Sequence, residues 1–280
     1  MRIPCSKLLK PYVIHGAIKE TTDAGESYDA TCAIAIGHDY GLLGDTSKAV
    51  CRFVDGVHGQ DTSNLEAFSA DAQEAFNPFR LKLDGHRVCS GLLQHDKICR
   101  RWDERLAAMR SRYTGNWVGG QLQAMTGRIR DKYGLYLSLC RHFILDEWFM
   151  CDIFGIEFAD NHGTRACAVH AFGVSAVLSQ ECALETKGGR QALTIDGIAD
   201  LEPESTDAEM LRNSCNLAER HPIHLEQHTE WKGEDLSRLP DSIRSLYTLS
   251  VQGETHKTIE KTLKFQQSDE QGRERGESSE

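Results

Sequence analysis

The sequence lacks the features that mark several large classes of protein. No apolar run reaches the roughly 20 residues of a membrane-spanning helix, and residues 1–16 lack the continuous apolar core of a signal peptide. No P-loop, G-x-G-x-x-G or HExxH motif occurs, so nucleotide binding and zinc-protease chemistry have no motif support. Ordinary glycine and proline content, 24 and 6 residues in 280, excludes a collagen-like chain.

The ten cysteines include no C-x-x-C pair, and most of them lie in apolar stretches such as TCAIAI and RACAVHAF. A free cysteine behaves as a small buried hydrophobe. We therefore expect reduced core thiols and an intracellular, cytoplasmic protein rather than a disulfide framework. The net charge of −10 argues against a nucleic-acid-binding protein, which would carry a basic face.

Composition and periodicity predict one globular domain with flexible ends. Residues 1–28 show no clear period and are interpreted as an N-terminal extension, 29–265 as a single α+β domain, and 266–280 as a disordered acidic tail. The predicted elements are strand pairs before residue 92, amphipathic helices over 92–113 and 118–133, strands in 135–160, a helix over 206–220, a strand over 245–253 and a helix over 255–265. Grouped strands and grouped helices favour stacked α+β layers.

Strand-end carboxylates suggest a first kind of active site. Asp39 follows a predicted strand. Metal-dependent nucleases of the RNase H-like type, which have a mixed-sheet α/β fold, use a carboxylate at such a position to hold Mg²⁺. Asp146, Glu147 and Asp152 are candidates for the remaining ligands. The ordinary interpretation of Asp39 is a turn residue.

A histidine cluster suggests a second metal site. His221, His224 and His228 have helical spacing in HPIHLEQH, with Glu226 nearby, and neutral imidazole is a good Zn²⁺ ligand. Pro222 makes a helix there uncertain, and three exposed polar residues are the ordinary interpretation.

Thr31 begins the first clear strand. An N-terminal threonine can act as a nucleophile with its own α-amine as the base, which would require removal of the residues before it. Taken alone, Thr31 is interpreted as an ordinary strand threonine.

The order of these segments resembles the proteasome-type N-terminal-nucleophile hydrolase family. TCAIAIGHDYGLLGDTS is similar to that family's opening hairpin, and HRVCSGLLQHD to the segment where a strand leads into a long helix. FGVSAVLSQ with ALTIDG, and LYTLSVQGETHKTIEKTLK, resemble its later strands and closing helix. The resemblance implies an αββα sandwich of antiparallel sheets that assembles into rings.

The departures from the family imply a subunit without peptidase activity. Thr31 and Asp45 fill two positions of a threonine-peptidase site, but no lysine lies between Lys48 and Lys82. We therefore expect a ring- or oligomer-forming structural subunit without a cofactor. The alternatives are a hydrolase or nuclease with Mg²⁺ or Zn²⁺, and a structural or interaction protein with no active site.

Overall fold

The structure is a computed structural model that describes residues 1–40, 47–54, 64–215, 217 and 221–268, apart from the side chains of residues 64–66, 69, 70 and 116. One antiparallel sheet of eleven strands dominates this described part of the chain. The strands are β1 Tyr12–Thr22, β2 Ser27–Tyr40, β3 Ser47–Val54, β4 Phe79–Leu83, β5 Cys89–Leu93, β6 His162–Ala171, β7 Val174–Lys187, β8 Arg190–Leu201, β9 Ile223–Gly233, β10 Ser242–Val251 and β11 Glu254–Gln267.

The sheet consists of two meanders that meet at its centre. Its order is β5-β4-β3-β2-β1-β11-β10-β9-β8-β7-β6, so every chain neighbour within each meander is also a sheet neighbour. The two meanders join where β1 pairs with β11, from Tyr12 opposite Gln267 to Thr22 opposite Lys257. We call this β1–β11 pairing the seam.

The helices cover one face of the sheet. They are α1 Asn64–Phe76, α2 His95–Arg112, α3 Asn116–Arg130, α4 Lys132–Cys140, α5 Phe143–Leu145, a π-helix Asp146–Met150 and α6 Thr206–Cys215. We call the helix-bearing face the inward face and the other the outward face. None of the helices in the described ranges is long and apolar enough to cross a membrane.

Alternation along the strands separates the two faces. On β7, Val174, Ala176 and Leu178 are buried, whereas the intervening Ser175 and Val177 are exposed. This period of two is typical of an antiparallel sheet with one solvated face. The inward side chains form a large apolar cluster with α1–α5 and a smaller cluster with α6.

The C-terminal meander curls inward. Four strands separate β11 from β6, so a flat sheet would place them about 24 Å apart at a spacing of ~4.8 Å. Nevertheless, Nζ of Lys261 on β11 lies 3.5 Å from the carbonyl oxygen of His170 on β6. Because a lysine side chain cannot span the flat distance, the sheet must curve around the π-helix.

This architecture corrects the expected fold. The αββα sandwich is wrong, because the described residues form a single sheet rather than two stacked sheets. The mixed-sheet RNase H-like alternative is also wrong, because all ten strand pairings are antiparallel. The resemblance to the proteasome-type N-terminal-nucleophile family fails on the same ground.

Several local predictions are wrong as well. The predicted strands around 135–150 are α4, α5 and the π-helix, and the predicted closing helix over 255–265 is β11. The division into an extension, one domain and a tail remains a prediction; within residues 1–28 the structure places β1, between β2 and β11.

Candidate functional site

A cleft of about 590 Å³, open to solvent on one side, lies between α1, α3, α4 and the end of β3. We call it the apolar cavity. Its buried lining consists of aromatic and aliphatic side chains from β3, α1 and α4, and the half-buried side chains of Phe76 on α1 and Met125 on α3 extend that lining. The buried members are Phe53, Phe68, Ala72, Leu135 and Leu139.

The rim of the cavity is more polar than its floor. The indole of Trp117 is 46% exposed there, and Gln121, Arg128 and Ser138 are also exposed. The guanidinium of Arg128 makes no hydrogen bond or ion pair with any residue that the structure describes. An amphipathic rim over an apolar floor is the usual form of a small-molecule site.

Helical spacing explains why these side chains meet. On α3, Trp117, Gln121, Met125 and Arg128 lie at intervals of four, four and three residues, so they share one helix face. The residues that α4 contributes, with His142 after its end, repeat at three and four residues in the same way. The cavity is therefore lined by helix faces whose residues can be identified in the sequence by their spacing.

His142 adds one polar group to the cavity lining. Its ring lies 5.2 Å from that of Phe53 and 5.0 Å from that of Phe143, measured between centroids. Its Nδ1 atom is buried and has no hydrogen-bond partner among the described residues. Burial, with a smaller contribution from Lys261, lowers the His142 pKa to about 4, so the imidazole is neutral at pH 7.

A second polar arrangement surrounds the π-helix. Nζ of Lys261 lies 2.9 Å from Oε1 of Glu147 and 3.0 Å from Oδ2 of Asp146. Glu147 also accepts hydrogen bonds of 2.7 Å from the hydroxyls of Ser245 and Tyr247. Its carboxylate is therefore buried but satisfied, as a buried charge must be.

A chain of hydrogen bonds extends from Glu147 across the inward face. Ser245 accepts from Thr229, which accepts from the amide of Gln227. Gln227 accepts from Gln180 at 2.6 Å, and Arg165 of β6 donates to Gln180. We call this series the polar chain.

The polar chain crosses β8 above a glycine. Gly197 pairs with Gln180 on one side and Gln227 on the other. A Cβ atom at Gly197 would lie 3.0 Å from Oε1 of Gln227. The missing side chain therefore leaves the space in which the two glutamines meet.

The region around the carboxylates is closed to a ligand. The void beside Asp146 and Glu147 measures about 20 Å³, which is room for about one water. Burial raises the Asp146 pKa to about 6, against the opposing effect of Lys261. We interpret these ion pairs and hydrogen bonds as structural interactions that hold the π-helix against the sheet.

The predicted carboxylate site is not assembled. Asp39 lies on the outward side of β2, because His38 and Ile36 alternate with it and face the core. Asp146 and Glu147 lie on the inward face and share the Lys261 ammonium. The sheet separates them from Asp39.

None of the three histidines lies on a helix: His221 precedes β9 by two residues, and His224 and His228 lie on β9. His224 pairs with Asp200 at 2.7 Å and His228 with Asp196 at 2.7 Å, on the outward face of β8 and β9. His221 contacts Gln252. Within the described ranges, no group of three or more acidic, histidine or cysteine side chains is arranged to hold a metal ion.

Thr31 lies within β2, exposed on the outward face opposite Ala17 of β1. Asp45 lies outside the described residues. The role of this pair stays a prediction.

Comparison with known proteins gives little further information. No family model and no curated protein matches the chain. It is similar to a structure of lipovitellin that describes lipid–protein interactions, with 8% identity and a TM-score of 0.46 over 94% of this chain; it spans only 25% of that one. A LolA-superfamily protein from Nitrosomonas europaea is 6% identical with a TM-score of 0.22, over 95% of this chain and 90% of that one. Similarities this weak carry no argument about function.

Proposed function

We propose that this protein binds a small, mainly apolar molecule in the apolar cavity. The observation that carries the proposal is the cavity itself, about 590 Å³ of space lined by buried aromatic and aliphatic side chains. Small-molecule sites commonly measure roughly 300–1,000 Å³ and combine an apolar lining with a few polar groups.

The surrounding elements support binding rather than catalysis. The floor joins β3 to three helices, so its shape is set by the core of the protein. The polar groups at the cavity are amides, a hydroxyl, a neutral imidazole and a guanidinium. They can orient a ligand, but no acidic side chain of the described residues lines the cavity to act as a base.

The expected functions are corrected accordingly. The ring-forming, proteasome-like subunit without peptidase activity is wrong, because its two-sheet fold is absent from the described residues. The metal-dependent hydrolase or nuclease is wrong, because Asp39 and the Asp146–Glu147 pair lie on opposite faces of the sheet. The interpretation as a protein without any site is not supported, because a ligand-sized cavity is present.

Dye binding tests the proposal. We expect the purified protein to bind Nile red, a neutral apolar dye, saturably and with enhanced fluorescence. Ala72→Trp fills the cavity from α1 and is expected to weaken binding about tenfold or more. Ser138→Trp blocks the exposed rim and provides a second variant if Ala72→Trp does not fold.

Ser179→Trp is the matched control, because Ser179 is exposed on the outward face of β7. Circular dichroism checks that each variant is folded. Absence of saturable binding to the wild type, or an equal loss in Ser179→Trp, would show that the apolar cavity is not the binding site. Cytoplasmic location, absence of a cofactor and assembly into oligomers remain predictions.

A further inference from the structure

Resting on the proposed function, we infer that the ligand is an anionic amphiphile, with its charged headgroup at Arg128 and its apolar tail on the cavity floor. The shared chemistry is a carboxylate or phosphate joined to a hydrocarbon chain. The juxtaposition that carries this inference is a guanidinium at the rim above an apolar floor.

The rim supplies a cation without a counterion. Arg128 is the only arginine or lysine among the described lining residues, and no aspartate or glutamate joins it there. It lies in the last turn of α3 and makes no ion pair with any described residue. By contrast, Arg130 on the same helix pairs with Asp103. A planar guanidinium suits two-point hydrogen bonding to a carboxylate or phosphate.

The floor excludes charge. Its buried members are hydrocarbon or aromatic side chains, in which an unpaired anion would lose its hydration. The polar atom that is buried there belongs to His142, whose lowered pKa keeps the ring neutral near pH 7. A neutral imidazole does not provide the charge that an anionic headgroup needs. Only the rim therefore suits the headgroup, and the tail lies inward.

Three matched probes test this orientation: dodecanoic acid, monododecyl phosphate and 1-dodecanol, each titrated by displacement of bound Nile red at pH 7.4. We expect at least one anion to bind roughly fivefold more tightly than the alcohol at low salt, as for a partly exposed charge pair. That preference should shrink as the salt concentration rises. The tighter anion identifies the headgroup.

Variants at Arg128 separate headgroup recognition from tail binding. Arg128→Gln should abolish the preference, so that the anion and 1-dodecanol bind to this variant with about equal affinity. Arg128→Lys should keep part of the preference, and Arg130→Gln on the same helix should keep all of it.

The outcomes distinguish the two proposals. If Nile red and 1-dodecanol bind but neither anion binds more tightly than the alcohol, the inference about Arg128 is wrong and the apolar site stands. A preference that survives in Arg128→Gln also overturns the inference. If no probe or dye binds, the proposed function itself fails.

Discussion

Replacing Lys261 by methionine should strongly destabilise the fold. Lys261 and Glu147 are 4% and 3% exposed, and the ammonium is the group that balances two buried carboxylates. Its removal leaves Glu147 with only the neutral donors Ser245 and Tyr247. Breaking one partner of a buried pair costs about 3–5 kcal/mol in the free energy of unfolding. In a protein of this size, that corresponds to a decrease in Tm on the order of 10 °C.

Urea unfolding followed by circular dichroism measures this loss, with Lys264→Met as the control. Lys264 is on the same strand but is exposed, so its replacement should change stability by about 0.5 kcal/mol or less. The double variant Glu147→Gln with Lys261→Met should recover about 1–3 kcal/mol relative to the sum of the single changes. A loss below about 1 kcal/mol in Lys261→Met, or strict additivity, would refute the reasoning.

Two further predictions concern pH and the polar chain. Burial lowers the pKa of His38 and His142 to about 4, whereas the unfolded chain takes up these protons near pH 6.5. Stability should therefore fall between pH 6.5 and 4, and His170, whose pKa burial also lowers to about 4, adds to this fall. Asp146 and His224, whose pKa values are raised, act in the opposite sense, leaving a net loss on the order of 2 kcal/mol from pH 7 to 5. Urea midpoints at the two pH values measure it, and an unchanged midpoint would contradict the reasoning. Gly197→Val should cost about 1–3 kcal/mol by separating the glutamines of the polar chain. Gly37→Ala, with open space around it, is the control, and equal losses in both variants would exclude that explanation.

Regular amphipathic segments were predictable from the sequence. The stripes that predicted helices over 92–113 and 118–133 correspond to α2 and α3. The hairpins β2–β3 and β4–β5 were also predicted, because alternating apolar residues and turn formers flank each strand. In these segments, local periodicity agrees with the final packing.

Other segments could not be assigned because tertiary structure gives them an unusual composition. The residues of α4, α5 and the π-helix are largely apolar, and most of these apolar side chains are buried in the large cluster. Such a run does not distinguish a buried helix from a strand by its period. On β11, Lys261 occupies an inward position between Ile259 and Leu263, which interrupts the alternation that would have identified a strand.

The apolar cavity was missed for a different reason. The three- and four-residue spacing in α3 and α4 predicts which residues share the helix faces that line the cavity. The same spacing occurs in helices that pack against a filled core, so it does not predict a cavity. A possible signal was Trp117 together with Arg128 on one face of α3, a pattern that combines an aromatic and a cation. Only the packing of three helices on β3 shows that the space between them is open.

The seam has a consequence for the order in which the sheet can be completed during synthesis. β1 is made before the other strands of the sheet, yet its partner β11 is separated from it in the sequence by all of them. Pairs so distant in sequence form slowly, because a long loop must close first. One edge of β1 in the N-terminal meander therefore has no strand partner until the ribosome has completed the second meander. A β11 segment from another copy could occupy that edge, so domain-swapped dimers are the expected product of crowded or rapid refolding.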